Sequence, residues 1–369
     1  MRTGGKLTVR ETEMNVSSPI GVGIIGLGRS GWNIHSKAIR NQPETFTIVG
    51  VYDPIEERAQ QAVAELGCTS HGSVASLLAD SGVELAVVAS PNGFHTGHAV
   101  QALEAGKHVL CEKPFGLTTA DVDRMTAAAE KAGKVLQPFQ QRRWEPDFQK
   151  VKEICDSGIL GEIQFIRICW HNFKRRWDWQ TTKEMDGGAL NNNGPHPIDH
   201  AMELFGGDDP EVLCEMRRVL CSGDAEDFLK ITLRGAGRPT VEIELIDAVA
   251  YPQDRWLVVG DAGGLRGTGN FLEWKWVDWS EMPARPVSLE PTPDRSYNKE
   301  ELSWYSDSWQ PEEKSDGGAG AAPSPVPVLT LYSNLYDAIR NGAKQDITAA
   351  DVRSRLLVLE RARAASDMY

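Results

Sequence analysis

The sequence predicts an α/β chain in two parts: a first domain on a doubly wound parallel sheet, then an α+β domain on an open, largely antiparallel sheet. Three observations carry this. Residues 20–25 form a short, β-branched apolar run that ends directly in Gly26-Leu27-Gly28-Arg29-Ser30-Gly31. Between 19 and 140, short apolar runs alternate with helical stretches of ~10–15 residues, the rhythm of parallel strands joined by crossover helices. Beyond 140 the runs lengthen and alternate in polarity, as at Leu229, Ile231 and Leu233, the pattern of antiparallel strands with one covered face.

Taken in order, 20–25 reads as a buried parallel strand bounded by Pro19 and Gly26. In the turn that follows, Gly26 allows the tight bend, Gly28 lets the backbone approach a pyrophosphate, and Gly31 lets helix and strand pack closely. The helix beyond offers unpaired N–H groups to phosphates. Arg29 and Ser30 lie between the glycines and join the cofactor-binding set. The run 46–52 delivers Asp53, whose carboxylate suits both ribose hydroxyls of an adenosine. These features together are those of a Rossmann dinucleotide-binding domain. A carboxylate at Asp53 repels a 2′-phosphate, which favours NAD, while Arg58 one helical turn on leaves NADP possible.

A third strand, 85–89, leads through Ser90, Pro91, Asn92 and His95 into a helix over 97–105, and a fourth, 108–111, ends in Glu112-Lys113-Pro114. Ser90, Asn92, His95, Glu112 and Lys113 therefore belong to the carboxyl edge of the sheet, where open α/β folds place their ligands. A helix over 119–132 and a strand over 135–138 complete the first domain, 19–140. Residues 1–18 are polar, without an apolar segment, and are expected to be a disordered leader.

The second domain, 141–369, begins with a helix over 146–157 and continues with strands over 163–173, 228–233, 240–246 and 256–259. Ten of the eleven tryptophans lie beyond residue 140 and suit a sheet core or a subunit interface. Residues 281–327 are rich in Pro, Ser, Glu and Gly and read as a loop insertion, with 317–327 disordered. A helix follows over 331–341, and Thr348 with Asp351 resembles a capping box opening a second helix to about 365.

The 369 residues carry a net charge of −13 with no basic block, so neither nucleic acid nor an anionic membrane surface is an expected partner. No apolar run approaches the ~20 residues of a membrane span. The six cysteines lack metal spacing and read as reduced thiols of a cytoplasmic protein. His196 and His200 stand four apart, but Pro197 occupies the position where a zincin-type site needs glutamate, so no metal is expected. A broad apolar face on the second sheet calls for a partner copy, hence a homodimer or homotetramer.

The residues now reached resemble the Gfo/Idh/MocA family of NAD(P)-dependent sugar and polyol oxidoreductases. Four matches carry the resemblance: the glycine run with His35 four positions on; Cys111-Glu112-Lys113-Pro114; Gln141-Arg142-Arg143-Trp144 with Gly158-Ile159-Leu160-Gly161-Glu162; and Gly188-Ala189-Leu190 with Gly194-Pro195-His196-Pro197-Ile198-Asp199. They keep family order from 21 to about 206.

The resemblance implies hydride transfer between nicotinamide and a secondary alcohol of a sugar, sugar acid or cyclic polyol. It assigns Lys113 to catalysis, with a cis bond before Pro114. It also places Arg143, Trp177 and Trp179 near the substrate, where aromatics and arginines suit a sugar, including an acidic one. Such chemistry needs a base near the hydroxyl and a charge to steady the developing alkoxide. His196 is the expected base, because histidine titrates near working pH, with Lys113 as the stabilising cation. The family pattern has aspartate four residues before this histidine; here it is Asn192, which orients substrate but takes no proton. Two alternatives use the same pocket: an NAD-retaining glycosidase or epimerase, and a non-catalytic dinucleotide-binding regulator.

Overall fold

A computed structural model describes residues 18–312 and 325–369. The first sheet contains β1 (Ile20–Ile25), β2 (Phe46–Tyr52), β3 (Thr69–Ser70), β4 (Leu85–Val88), β5 (His108–Cys111) and β6 (Leu136–Pro138) in the order β3-β2-β1-β4-β5-β6. Every pairing is parallel. All six residues of β1 and all four of β4 are buried, as a sheet covered on both faces requires. The strand order reverses between β1 and β4, which opens a crevice at their carboxyl ends.

Helices α1 (Ser36–Arg40), α2 (Glu56–Leu66), α3 (Val74–Ala79), α4 (His95–Glu104) and α5 (Thr119–Ala132) make the crossovers. The sequence stops them where expected. Thr118 accepts from the Asp121 N–H to open α5, and Gly133 closes it at φ 62°.

The second sheet has the order β14-β13-β12-β11-β7-β10-β9-β8, from β7 (Ile163–His171), β8 (Glu211–Arg217), β9 (Phe228–Arg234), β10 (Thr240–Ile246), β11 (Trp256–Gly260), β12 (Gly263–Thr268), β13 (Phe271–Trp276) and β14 (Tyr305–Trp309). Among the described residues of this sheet only β7 and β10 pair in parallel. Helices α6 (Pro146–Asp156), α7 (Ala189–Asn192), α8 (Pro195–Phe205), α9 (Pro325–Asn341) and α10 (Ala349–Ala364) complete the fold. The inner face of the second sheet, with Ile166, Ile168, Val241, Ile243 and Trp256, packs with Phe148, Ile198 and Leu359 from α6, α8 and α10.

Four differences from the sequence expectations have physical causes. The loop expected over 281–327 contributes β14 at the sheet edge; its Ser-Asp-Ser centre carries no apolar signal, because four of its five residues are exposed. Helix α9 starts at Pro325 rather than 331, since proline is compatible with a first helical turn. The same helix leaves its own sheet: Val328, Leu331, Tyr332 and Leu335 join Ile20, Val22 and Ile24 in the core of the first. Finally, the outer face of the second sheet is not broadly apolar. Lys230 bridges Glu242 and Glu244 there, although Leu213, Val259 and Phe271 stay exposed. The leader expected over 1–18 lies outside the described residues, Ser18 apart, as does most of 317–327.

Candidate functional site

The three glycines divide their labour. Gly26 has φ +95°, and a Cβ there would lie 2.6 Å from the Ala89 carbonyl; a Cβ on Gly31 would lie 1.9 Å from the Gly26 carbonyl. Both are required by the turn itself. A Cβ on Gly28 meets nothing within 4 Å, so the fold does not need that glycine; a ligand approaching the backbone does. The chain past Gly31 enters a π-helical turn over Gly31–His35 before α1. Arg29 is exposed beside the loop.

Asp53 ends β2 facing this loop. Its Oδ2 accepts the Leu27 N–H at 2.6 Å and its Oδ1 the Ile55 N–H at 2.9 Å, with Arg58 at 3.7 Å. The carboxylate expected for ribose therefore also holds the glycine loop against β2. Gly28's open side and this carboxylate fit an adenine dinucleotide laid across the β1–β4 crevice.

The opposite wall comes from β5 and from α7. Lys113 is half-buried after β5, its bond to Pro114 is cis as the resemblance implied, and its Nζ donates to the Asn192 backbone carbonyl at 2.6 Å. Burial lowers the Lys113 pKa; Glu112 opposes this, and Arg142, Arg29 and Arg176 add to it. Asn192 is buried. Its Nδ2 donates to the Gln180 carbonyl at 2.8 Å, and its Oδ1 accepts from Asn92 Nδ2 at 3.3 Å, which also donates to the Asp186 carbonyl. Asn92 thus reaches from the first domain to the second. Ser90 Oγ lies 3.0 Å from His98 Nδ1.

His196 sits on the first turn of α8 and is 4 % exposed, its ring stacked on Trp170 at 6.0 Å. Burial holds its pKa well below the usual histidine range, with Arg142 and Lys113 adding to the effect. The Gln140 amide Nε2 donates to the Pro195 carbonyl at 3.1 Å and lies 3.4 Å from His196 Nδ1. That orientation makes Nδ1 an acceptor and leaves the neutral ring's proton on Nε2. The ring expected as a base thus presents a hydrogen-bond donor.

Two other expectations are corrected. His95 was expected to touch the cofactor, but its two ring nitrogens lie 2.7 Å from the carbonyls of Pro114 and Ser90, and the one N–H of the neutral ring that burial favours donates to one of them; the ring sits between the β4 loop and the β5 loop. Arg143 was expected at the substrate, but it forks onto buried Asp199, which also binds Arg355. Its neighbour Arg142 instead lies over Trp170 at 4.9 Å, pairs with Glu145, and acts as a charge on Lys113 and His196. On one 3₁₀ turn, adjacent arginines point apart. Trp177 and Trp179 are 79 % and 42 % exposed, and Arg176 and Gln180 beside them line a small open cleft with Gly188, Asn192 and Asn193.

Sequence reasoning missed Gln140 and Tyr332. Tyr332 Oη lies 2.8 Å from His35 Nδ1, and His35 Nε2 lies 3.2 Å from Glu112 Oε1. Burial works to raise the Glu112 carboxyl, yet the His35 hydrogen bond and the nearby Lys113 carry it down to about 2. No local signal marks Tyr332, an aromatic among the apolar residues of a helix. Elsewhere, Cys169, His171 and Glu244 bring ligand-type atoms within 4.8 Å of one another. Lys230 already neutralises Glu244 at 3.3 Å, and the Gln253 N–H directed at His171 Nδ1 turns its Nε2–H toward that carboxylate, an arrangement closed by its own hydrogen bonds.

Among the described residues no helix is long and apolar enough to cross a membrane. Residues 20–140 match the model of an oxidoreductase family with an NAD-binding Rossmann fold, and residues 148–266 match the GFO/IDH/MocA C-terminal domain. An uncharacterized oxidoreductase of Schizosaccharomyces pombe is 27 % identical over 338 residues, covering 87 % of this chain and 89 % of that protein. The scyllo-inositol 2-dehydrogenase (NADP(+)) IolW of Bacillus subtilis is 23 % identical over 94 % of each chain. The WlbA dehydrogenase of Bordetella pertussis, solved with NADH and UDP-GlcNAcA, superposes with TM-score 0.72 at 21 % identity, over 94 % of this chain and 96 % of that one. The protein belongs to the Gfo/Idh/MocA oxidoreductases, with the family's NAD-binding Rossmann domain followed by its C-terminal domain.

Proposed function

We propose that this NAD-dependent oxidoreductase is a dehydrogenase of CH–OH donors, acting on a secondary alcohol of a sugar, sugar acid or cyclic polyol. The observation that carries the reading is the 2.6 Å contact between Lys113 Nζ and the Asn192 carbonyl. It brings an amine from the carboxyl edge of the dinucleotide sheet to the short helix that leads into His196. The nicotinamide, when bound, supplies the acceptor or donor of hydride. Gly26, Gly28 and Gly31 would shape the loop around the pyrophosphate, with Arg29 and Ser30 beside it and Asp53 on the ribose.

Lys113, whose pKa burial lowers, is the group able to take the alcohol proton. His196 donates from Nε2 to the same oxygen and steadies charge developing there. This reverses the expected division between the two residues, and the Gln140 amide is the reason. Asn192 supplies the carbonyl that aims the amine. Its side chain is spent on Gln180 and Asn92, so the missing aspartate reflects a packing requirement rather than a lost base, which disfavours the regulator reading. The kinship with IolW, a dehydrogenase of a cyclic polyol by name, supports the substrate class; Asp53 favours NAD. The assembly proposed is a homodimer or homotetramer, tested by sedimentation at micromolar concentration.

The test is an absorbance screen for NADH formation across polyols, aldoses, uronates and glycosides, repeated with Lys113→Ala and His196→Ala. Turnover of a polyol or sugar that falls at least about a hundredfold in Lys113→Ala is expected. Turnover unaffected by either substitution would overturn the proposal.

A further inference from the structure

Three side chains from distant parts of the chain form a buried file behind the lysine: Tyr332 on α9, His35 at the end of the π-helical turn, and Glu112 at the end of β5. Tyr332 and His35 are 0 % exposed and Glu112 4 %. The contacts run from Tyr332 Oη to His35 Nδ1 at 2.8 Å and from His35 Nε2 to Glu112 Oε1 at 3.2 Å; the other carboxylate oxygen accepts the Lys113 backbone N–H at 3.0 Å. Phe139 packs on the imidazole at 4.4 Å. A phenol donating to Nδ1 and an Nε2–H donating to the carboxylate satisfy every polar atom of the file.

We propose that Tyr332 and His35 are positioning residues: their hydrogen-bonded file fixes the Glu112 carboxylate beneath Lys113, so that helix α9, from the far end of the sequence, sets the place and charge state of the amine. The proposal rests on the reading of Lys113 as the proton-handling group. Its physical basis is a balance of charges around one amine. Glu112 favours the ammonium. Arg29 from the glycine loop, Arg142 from the 3₁₀ turn and Arg176 from the loop before Trp179 all disfavour it, as burial does. His196 on α8 adds no charge while neutral. Among these neighbours Glu112 alone holds the proton on, and a buried carboxylate does so in proportion to how firmly it is aimed. Removing the phenol leaves His35 Nδ1 without its donor and frees the ring to turn from Glu112.

The experiment measures the pH dependence of Lys113 acetylation by acetic anhydride in the full-length protein, read by peptide mass spectrometry, which needs neither cofactor nor substrate. Wild type is compared with Tyr332→Phe, His35→Asn and Glu112→Gln, with melting temperature and NADH dissociation constant recorded for each. Tyr332→Phe removes a single oxygen and serves if His35→Asn fails to fold. The Lys113 midpoint is expected to fall by about half a pH unit or more in Tyr332→Phe and further in Glu112→Gln. The pH profile of kcat should move the same way while NADH affinity stays within about twofold. A melting temperature that drops with an unmoved midpoint shows a merely structural file and overturns the proposal, as does an unmoved midpoint in Glu112→Gln. Shifted midpoints in a protein that reduces no NAD with any alcohol would sink the dehydrogenase reading and leave the positioning role standing.

Discussion

Lys113 Nζ and the Asn192 backbone carbonyl meet at 2.6 Å across the seam between the two sheets. An amine held by a carbonyl keeps its remaining valences for a second partner, and only groups from both domains bring it to that position. Lys113→Ala is therefore expected to lower kcat by about 10²–10⁴-fold. The NADH dissociation constant, read by fluorescence, should change by less than about threefold, since the lysine's work lies in the chemical step.

The glycine loop separates fold from ligand. Gly28→Ala places a methyl in open space, so its melting temperature should match wild type while NADH affinity falls about tenfold or more, roughly 1.4 kcal/mol. Gly31→Ala drives a methyl toward the Gly26 carbonyl and should lose both stability and binding. Equal NADH affinity in Gly28→Ala and wild type would remove the cradle.

Asp53 serves two backbone N–H groups besides any ribose. Asp53→Asn keeps one acceptor and is expected to cost about 1–2 kcal/mol in stability. With the charge gone, the ratio of kcat/KM for NADP over NAD should rise by at least about tenfold, with Arg58 placed to meet a 2′-phosphate. A wild-type preference for NADP would refute the carboxylate argument.

Asn192→Asp restores the residue type of the family pattern but sets a carboxylate oxygen against the Gln180 carbonyl, where an amide N–H now donates at 2.8 Å. The variant should lose about 1–3 kcal/mol by denaturant titration. It should also titrate Lys113 at higher pH, through the added negative charge.

Acid should unfold the protein in two stages. Burial and the Arg255 charge lower the His200 pKa from 6.5 to about 4. As pH falls below 6.5 the unfolded chain takes up this proton and the folded one does not, so stability drops by up to about 1.4 kcal/mol per pH unit until about 4. Glu112 acts in the same direction at lower pH, with a folded pKa of about 2 against 4.5. Its contribution is full above 4.5 and disappears on the way down to 2. Melting temperatures across pH 7 to 4 should show the first slope, and His200→Gln should make it shallower, with His108, held at about 4 mainly by burial, and His196 supplying the rest.

Much of this was legible in the sequence where the cause is local. The glycine loop, Asp53 and the strands β1 and β4 announce themselves because a strand buried on both faces must be apolar throughout and a tight turn must be glycine. The Thr348–Asp351 box is equally local, and both reciprocal hydrogen bonds form. What stayed hidden depends on partners far away. Tyr332 lies 297 positions from His35, and nothing around it distinguishes a hydroxyl with a task from an ordinary core tyrosine. Arg142 and Arg143 share composition and context, and only the position of Asp199 decides which turns inward. Strand β8 went unseen because Glu211, Glu215 and Arg217 give its exposed face a charged character.

Helix α9 has a consequence for how the chain matures. A ribosome that has delivered residues 20–140 has made every strand of the first sheet but not Val328, Leu331, Tyr332 and Leu335, which close one side of it. The nascent dinucleotide half must wait with that flank bare while the entire second domain is synthesised, a period in which exposed apolar surface invites chaperones or aggregation. The fragment 18–140 expressed alone should therefore be poorly soluble, and adding residues 325–364, which also bring Ile347, Val352 and Leu356 to the other face, should rescue it.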